Sequence, residues 1–109
     1  MKTWYMYVAH CKDDSYYCGI TTDVERRIQE HNGKGKKGAK YTRSRRPVIV
    51  IFTQEFSSRS QALKAEAYFK SLNRAKKLRY MVDAIDARLD GQMTSLQKRQ
   101  ALHENIEVN

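Results

Sequence analysis

The sequence has few cysteines, few acidic residues and no long apolar run. No apolar segment approaches the roughly 20 residues that a membrane-spanning helix needs, which excludes such a helix. The N-terminus, Met1-Lys2-Thr3-Trp4, continues directly into a strand-like pattern, so we see no signal peptide. Cys11 and Cys18 are the only cysteines. Without an export signal, we expect two reduced thiols in a cytoplasmic protein.

Basic residues outnumber acidic residues by almost two to one. The 109 residues include 21 Lys and Arg against 12 Asp and Glu, which gives a formal net charge of +9. A chain of this length has room for one domain with one modest hydrophobic core. A small domain this basic usually binds polyanions, of which nucleic acid is the commonest. Ribosomal or membrane-surface partners are the alternatives that charge alone leaves open.

Two short tyrosine-rich segments predict a β-hairpin. Residues 4–9 and 16–20 are rich in aromatic and β-favouring residues, and the segment 12–15 between them is typical of a turn. Because side chains alternate faces along a strand, a hairpin that closes symmetrically places Tyr7 directly across from Tyr17. Gly19 shares their face and would leave the backbone uncovered, so that a substrate approaches closely.

The segment after the hairpin predicts a helix with an arginine and a histidine on one face. Thr22 is typical of a helix N-cap, and the helix is expected to run from about Asp23 to His31. Arg27 and His31 are four residues apart and therefore share a face. Together with two tyrosines they are suited to handling a phosphodiester. Each also has a plain structural explanation, Arg27 as a solvated charge and His31 as a cation near the helix C-terminus.

A strongly basic, glycine-spaced segment follows at residues 33–46. It contains three glycines, seven Lys or Arg and no acidic residue, and we expect it to be a mobile loop. So large an excess of positive charge favours contact with phosphates over a merely solvated charge run. Tyr41 is a candidate for stacking on a base. The candidate nucleic-acid-binding residues are Lys34, Lys36, Lys37, Lys40, Tyr41, Arg43, Arg45 and Arg46.

The second half of the chain predicts one strand and two or three helices. The apolar run 48–52 is typical of a central strand covered on both faces. Ser58 should begin a helix that continues to about Leu72, and Asn73 should cap a further helix that ends at Gly91. Thr94 is expected to begin a short last helix.

Glu66 is the acidic residue of greatest interest. Its position on the predicted helix lies with Ala62, Leu63 and Phe69, on the side that should pack inward, where an ionised carboxylate needs a counter-charge or a bound cation. A salt bridge to Arg27 or a lysine is the structural alternative. A zinc site built from His10, Cys11, Cys18 and His31 is disfavoured because their spacing fits no usual zinc pattern.

These residues together resemble the GIY-YIG endonuclease superfamily. Tyr5-Met6-Tyr7 corresponds to its first motif and Tyr17-Cys18-Gly19 to its second, while residues 19–31 are similar to its arginine-bearing helix. Glu66 matches its metal-binding glutamate. The resemblance covers about residues 3–82 and is closest to small stand-alone bacterial members, which are similar to the Slx-family nuclease domain. Tyr5 replaces a glycine and Cys18 an aliphatic residue, and neither departure removes a catalytic group.

The resemblance implies an α+β fold with a three-stranded antiparallel sheet flanked by helices. It implies a nuclease domain at residues 1–82, which a helical C-terminal extension at 83–109 would follow. The implied activity is hydrolysis of DNA, branched or damaged DNA included, with Mg²⁺ or Mn²⁺ held by Glu66. The C-terminal extension would bind a protein partner. Tyr7 is the first choice for general base, with Tyr17 able to exchange roles, and Arg27 and His31 would assist. A non-catalytic nucleic-acid-binding module and a ribonucleoprotein structural protein are the alternatives.

Overall fold

The computed structural model describes residues 2–33 and 37–92. These residues form three β-strands and four α-helices. The strands are β1 (Trp4–Cys11), β2 (Tyr16–Thr21) and β3 (Val48–Phe56), and the helices are α1 (Val24–Asn32), α2 (Lys40–Arg43), α3 (Arg59–Ser71) and α4 (Arg74–Gln92). None of the helices in these ranges has both the length and the apolar character needed to cross a membrane.

The three strands form one antiparallel sheet in the order β2-β1-β3. The predicted α+β architecture is therefore confirmed. The prediction of a central strand at 48–52 is wrong, because β3 lies at an edge of the described sheet and exposes Ile49 by 63% and Ile51 by 44%. An apolar run indicates a preference for burial but does not determine strand order. β1 takes the central place because it pairs with both β2 and β3.

The hairpin register differs from the prediction by two residues. Tyr7 pairs with Gly19 rather than with Tyr17. The connection spans residues 12–15, and Asp14 takes a left-handed φ of 69°, which centres the hairpin one residue later than a closure on Lys12 would. Because a shift of two residues preserves the face of every side chain, Tyr7 and Tyr17 still lie on the same side of the sheet.

Helices α1 and α3 lie on opposite faces of the sheet. α1 covers the face of Tyr7, whose hydroxyl contacts His31 of α1. α3 covers the other face, since its Arg59 guanidinium lies 5.8 Å from the ring centre of Trp4, and Trp4 points away from Tyr7 by strand alternation. The fully buried side chains of α3 are Ala62 and Phe69.

The helix starts follow local side-chain chemistry. The N-cap of α1 is Asp23 and not the predicted Thr22, because an Asp23 carboxylate oxygen accepts the Arg26 backbone N–H at 3.0 Å. A carboxylate at this position also interacts favourably with the positive end of the helix dipole. The predicted cap of α3 is confirmed, since Ser58 Oγ accepts the Gln61 backbone N–H at 3.2 Å.

The chain divides into two compact units after Leu72, and α4 belongs to the second. The predicted cap at Asn73 is confirmed, because its side-chain oxygen accepts a backbone N–H of the first turn of α4 at 2.9 Å. α4 continues through Gly91, where the sequence predicted its end. A single glycine lowers helix propensity by about 1 kcal/mol without stopping a helix. The boundary predicted at residues 82/83 falls inside α4, and the helix predicted from Thr94 lies outside the described residues.

The predicted basic loop at residues 33–46 is only partly a loop. Residues Lys40–Arg43 form the short helix α2, which the sequence did not predict. Gly38 is buried here, and a β-carbon on it would come within 2.9 Å of the Glu30 carbonyl oxygen. This close approach of two backbone segments requires a glycine.

Candidate active site

A buried tyrosine and a buried histidine meet between β1 and α1. The side chains of Tyr7 and His31 are 1% and 0% exposed, and the Tyr7 hydroxyl lies 2.7 Å from His31 Nε2. Ile28, one turn before His31, packs against a buried cluster of β1 and β3 side chains. This packing fixes the rotation of α1, so His31 faces the sheet rather than solvent.

Burial sets the protonation of this pair. Burial, followed by the nearby Arg27 charge, lowers the pKa of His31 to about 4, so the imidazole is neutral near pH 7. Burial likewise raises the pKa of Tyr7, Tyr17 adds to the rise, and Arg27 partly opposes it. Tyr7 is therefore a protonated phenol in contact with a neutral imidazole.

Gly19 makes room for the Tyr7 ring. A β-carbon at Gly19 would come within 2.6 Å of the Tyr7 hydroxyl oxygen and 2.8 Å of ring carbon Cζ. The sequence predicts that this glycine uncovers backbone for a substrate, but the space is filled by Tyr7. The glycine thus serves the packing of the tyrosine across the strand pair.

Thr42 is a third buried polar residue of the site, and it was not predicted from the sequence. Its side chain is 0% exposed, and Oγ1 lies 2.8 Å from His31 Nδ1. The same hydroxyl donates to the Ala39 carbonyl at 2.9 Å. A threonine within a basic, glycine-spaced segment belongs to no hydrophobic period, so no sequence signal marks it as buried.

Tyr17 stands beside this pair with a half-buried ring. Its ring centre lies 5.1 Å from that of His31 and 6.2 Å from that of Tyr7. On its other side, the ring of Tyr41 lies 5.9 Å away. The Tyr17 hydroxyl has no hydrogen-bond partner within residues 2–33 and 37–92. It is the phenol of the site that is left for a water or a substrate.

Arg27 is held at the edge of the cluster. Its Nη1 donates to Glu30 Oε1 at 3.0 Å and to the Lys37 carbonyl at 2.6 Å. Burial lowers the pKa of Arg27, but the hydrogen bond to Glu30 and the interaction with Tyr7 outweigh burial and raise it. The guanidinium is thus a fixed positive charge beside two phenols. The structure brings together four of the five predicted catalytic residues: Tyr7, Tyr17, Arg27 and His31.

Glu66, the fifth, lies on α3 on the other side of the sheet. It lies on the inward stripe between Ala62 and Phe69, as predicted, and its side chain is 18% exposed. Leu63, which the sequence placed on the same inward side, is exposed instead. Within the described part of the chain its ionic partner is Lys70, at 3.5 Å, and not Arg27. α3 and the residues around Tyr17 flank the same edge strand, β2.

The described residues offer few side chains that could bind a metal ion. Among the described residues, no group of three or more His, Cys, Asp or Glu side chains is arranged to hold a metal ion. Cys11 and Cys18 are buried and form no disulfide. A lone carboxylate such as Glu66 fits a cation that retains several water ligands, as Mg²⁺ does.

The basic segment contains two kinds of cation. Arg45 and Arg46 are committed to the fold: Arg45 Nε donates to an Asp13 carboxylate oxygen at 2.8 Å, and Arg46 Nε donates to the His31 carbonyl. Arg45 also lies 3.9 Å from the ring centre of Tyr41, so one face of that ring is covered. Lys34 and Lys36 lie outside the described residues. The exposed cations of the described part of the segment are Lys37, Lys40 and Arg43.

A small α+β domain with paired tyrosines, an arginine and a buried histidine on one sheet face defines a nuclease-like domain. Residues 3–79 match the family model of the GIY-YIG catalytic domain, and the chain belongs to this family. Within it, the chain is similar to the UPF0213 proteins. It is 54% identical to one from Enterococcus faecalis in an alignment of 82 residues that covers 73% of this chain and 91% of that relative.

A second sequence relative and a solved structure agree with membership of this family. The UPF0213 protein YazA of Bacillus subtilis is 49% identical over 77 residues, covering 71% of this chain and 76% of that relative. The solution NMR structure of an E. faecalis protein has 44% sequence identity and a TM-score of 0.54, covering 78% of this chain and 90% of the other. The fold and the GIY-YIG resemblance predicted from the sequence are therefore confirmed.

Proposed function

We propose that this chain is a metal-dependent endonuclease that hydrolyses phosphodiester bonds of DNA, with branched or damaged DNA in repair or recombination as its substrate. The observation that carries the proposal is the buried Tyr7–His31 pair with Tyr17 and Arg27 beside it. Membership of a nuclease family supports it. The exposed cations of the basic segment supply phosphate contacts close to α1. Cys11 and Cys18 form no disulfide, which fits the cytoplasm that we propose as its location.

Tyr17 fits the role of general base better than Tyr7, so we exchange the two roles that the sequence favours. The Tyr7 hydroxyl is committed to His31, and burial keeps it protonated. The Tyr17 hydroxyl has no partner among the described residues. A general base must reach the proton that it abstracts, and Tyr17 offers the unoccupied phenol oxygen of the site, close to the Arg27 charge.

The proposed reaction is a hydrolysis with one proton transfer to the protein. The Tyr17 phenolate takes a proton from water as the water oxygen attacks phosphorus, and the bond between phosphorus and the 3′ oxygen breaks. The leaving 3′ oxygen takes a proton from solvent, and Tyr17 then returns its proton to solvent. Arg27 donates to a non-bridging phosphate oxygen, where negative charge accumulates. Tyr7 and His31 pack against the Tyr17 ring and hold it in position.

Glu66 is the proposed ligand of one Mg²⁺ or Mn²⁺, mostly through water molecules. The ion, when bound, neutralises charge on the scissile phosphate and on the leaving oxygen. Lys70 is a weak partner, because its side chain is 53% exposed and its ammonium group stays hydrated. Since α3 and Tyr17 flank the same edge strand, DNA bound along that edge would reach both.

Cleavage of defined DNAs tests the proposal. Branched, single-stranded and duplex DNA would be incubated with Mg²⁺, with Mn²⁺ or with EDTA. We expect metal-dependent cleavage that is lost in Glu66→Ala and kept in Glu55→Ala, which removes an exposed carboxylate from β3. Equal cleavage by wild type and Glu66→Ala would indicate a contaminating nuclease and reject the proposal.

Binding without cleavage on every DNA would favour the alternative, a nucleic-acid-binding module on the same fold. A protein partner that binds through residues 83–109 also remains a proposal. Exposed apolar side chains of α4 support this partner. They are Val82, Ile85 and Leu89.

A further inference from the structure

The hydrogen bonds of Thr42 and Tyr7 together favour one tautomer of His31. The Thr42 hydroxyl has one proton and lies 2.9 Å from the Ala39 carbonyl, which can only accept, and 2.8 Å from His31 Nδ1, whose role depends on the tautomer. When the carbonyl takes the hydroxyl proton, Thr42 Oγ1 is an acceptor towards His31 and Nδ1 carries a proton. A neutral imidazole has one N–H, so Nε2 carries the lone pair. At 2.7 Å, that lone pair accepts the Tyr7 hydroxyl proton.

We propose that Thr42 is a positioning residue of the nuclease site, which selects the Nδ1–H tautomer of His31 and thereby turns the Tyr7 hydroxyl proton towards Nε2. The inference rests on the proposed function for its catalytic meaning. With its proton directed at His31, Tyr7 keeps its oxygen lone pairs for the nearby Arg27 guanidinium, with which it interacts. In this orientation Tyr7 helps to hold the guanidinium that binds the phosphate. Thr42 touches neither substrate nor reacting atoms and acts through two other residues.

The position of Thr42 is itself fixed by backbone contacts. Its N–H donates to the Ala39 carbonyl at 3.1 Å, and its carbonyl accepts the Arg45 N–H at 3.0 Å. Its side chain is fully buried, so water does not compete for either of its hydrogen bonds. The orientation of the hydroxyl is therefore determined by the fold of α2 and not by solvent.

A second contact to His31 indicates which tautomer to expect when the Thr42 hydroxyl is removed. The Ala39 backbone N–H donates towards Nδ1 at 3.4 Å, a long hydrogen bond that competes with a proton on Nδ1. In Thr42→Val, the shape is retained but the acceptor for Nδ1–H is gone. The Ala39 N–H then favours a lone pair on Nδ1 and moves the proton to Nε2. Nε2–H would face the Tyr7 oxygen, and the Tyr7 proton would lose its acceptor.

Nitrogen NMR of histidine-labelled protein tests this directly. Of the three histidines in the sequence, His31 is assigned by the signal lost in His31→Gln. We expect the Nδ1–H tautomer in wild type and in Thr42→Ser, and the Nε2–H tautomer in Thr42→Val. An Nε2–H tautomer in wild type, or the same tautomer in wild type and Thr42→Val, overturns the proposal. The wild-type measurement needs no variant, so poor folding of Thr42→Val does not prevent a decision.

Kinetics provide the second measurement. Thr42→Val should lower the single-turnover cleavage rate about tenfold, the usual effect of one lost hydrogen bond, with DNA affinity unchanged. Thr42→Ser should restore the rate. Weakened DNA binding with an unchanged rate would overturn the positioning role. If wild type cleaves no DNA, the proposed nuclease function fails and the positioning role in it fails too, and the NMR result then separately decides whether Thr42 sets the tautomer.

Discussion

The Tyr7 ring occupies the space above the α-carbon of Gly19 on the neighbouring strand, where a β-carbon would lie 2.6 Å from the tyrosine hydroxyl. Two motifs that are separate in sequence therefore form one steric unit. A side chain at position 19 and a tyrosine ring at position 7 exclude each other in this arrangement. The glycine of the second motif is a condition for the buried Tyr7–His31 contact.

Gly19→Ala should destabilise the fold through this clash. We expect a loss of about 1–3 kcal/mol in the free energy of unfolding, the usual range for overpacking a core. Urea unfolding of Gly19→Ala, Tyr7→Ala and the double variant would measure the coupling between the two positions. In the Tyr7→Ala background the cost of Gly19→Ala should largely disappear. An equal cost in both backgrounds would show that the clash is relieved elsewhere.

The two tyrosines should differ in their effect on catalysis. If Tyr17 is the base, Tyr17→Phe should lower the cleavage rate by about 10²–10⁴, the usual contribution of general-base catalysis. Tyr7→Phe should lower it less, and neither change should alter DNA affinity much, because these hydroxyls act mainly in the transition state. Tyr16→Phe, a neighbour on the opposite face of β2, is the control. A larger loss from Tyr7→Phe would return the base role to Tyr7.

His31 should make the fold sensitive to mild acid. Its pKa is about 4 in the folded state against 6.5 for an ordinary histidine, so between these values the unfolded chain binds a proton that the native state does not. Stability is therefore full above pH 6.5 and falls as the pH drops towards 4, by up to roughly 3 kcal/mol.

Chemical unfolding of wild type and His31→Gln between pH 7 and about 4.5 would measure this difference. The variant should be less stable near neutrality and should lack this part of the pH dependence. The pH dependence that remains in the variant belongs to other groups, chiefly carboxylates. Parallel curves for the two proteins would mean that His31 does not titrate differently on folding.

The exposed cations should set the salt dependence of DNA binding. Each phosphate contact contributes about 0.9 unit to the log–log slope of affinity against salt for duplex DNA. Replacing Lys37, Lys40 and Arg43 with alanine should flatten the slope by roughly two to three units. Fluorescence anisotropy in a Glu66→Ala background, which prevents cleavage, would measure it.

A variant with equal charge loss provides the comparison. Replacing Arg74, Lys76 and Lys77 of α4 with alanine also removes three positive charges, and it should leave the slope nearly unchanged. If the slope instead flattens in the α4 variant and not in the basic-segment variant, DNA binds along α4 and the cations of the basic segment contact only solvent.

The sequence predicted well what depends on local pattern. Alternation in the hairpin, the four-residue spacing of Arg27 and His31, and the inward position of Glu66 on α3 all follow from the periods of strand and helix. The register of Tyr7 was wrong by two residues because the conformation of Asp14 is a property of the turn and not of the alternation. The face was still right, since an even shift preserves it.

The sequence could not predict features that arise from long-range contact. The edge position of β3 depends on strand pairing, and a run of apolar residues is the same in a central and in an edge strand. Thr42 reaches His31 across eleven positions, and its burial depends on how the basic segment folds back on α1. The division of the cations into exposed and committed ones has the same origin, because Arg45 meets Asp13 across 32 positions.

The described part of the basic segment, residues 37–46, is held in place by contacts within the protein. Thr42, Arg45 and Arg46 attach it to α1 and to the hairpin turn through hydrogen bonds that involve no ligand. Immobilising a chain on binding usually consumes part of the interaction free energy. Here the backbone around Lys40 and Arg43 has lost that conformational entropy during folding. If a polyanion binds here, ordering this backbone therefore takes little from the binding free energy, and only the exposed Lys40 and Arg43 side chains are left to be ordered.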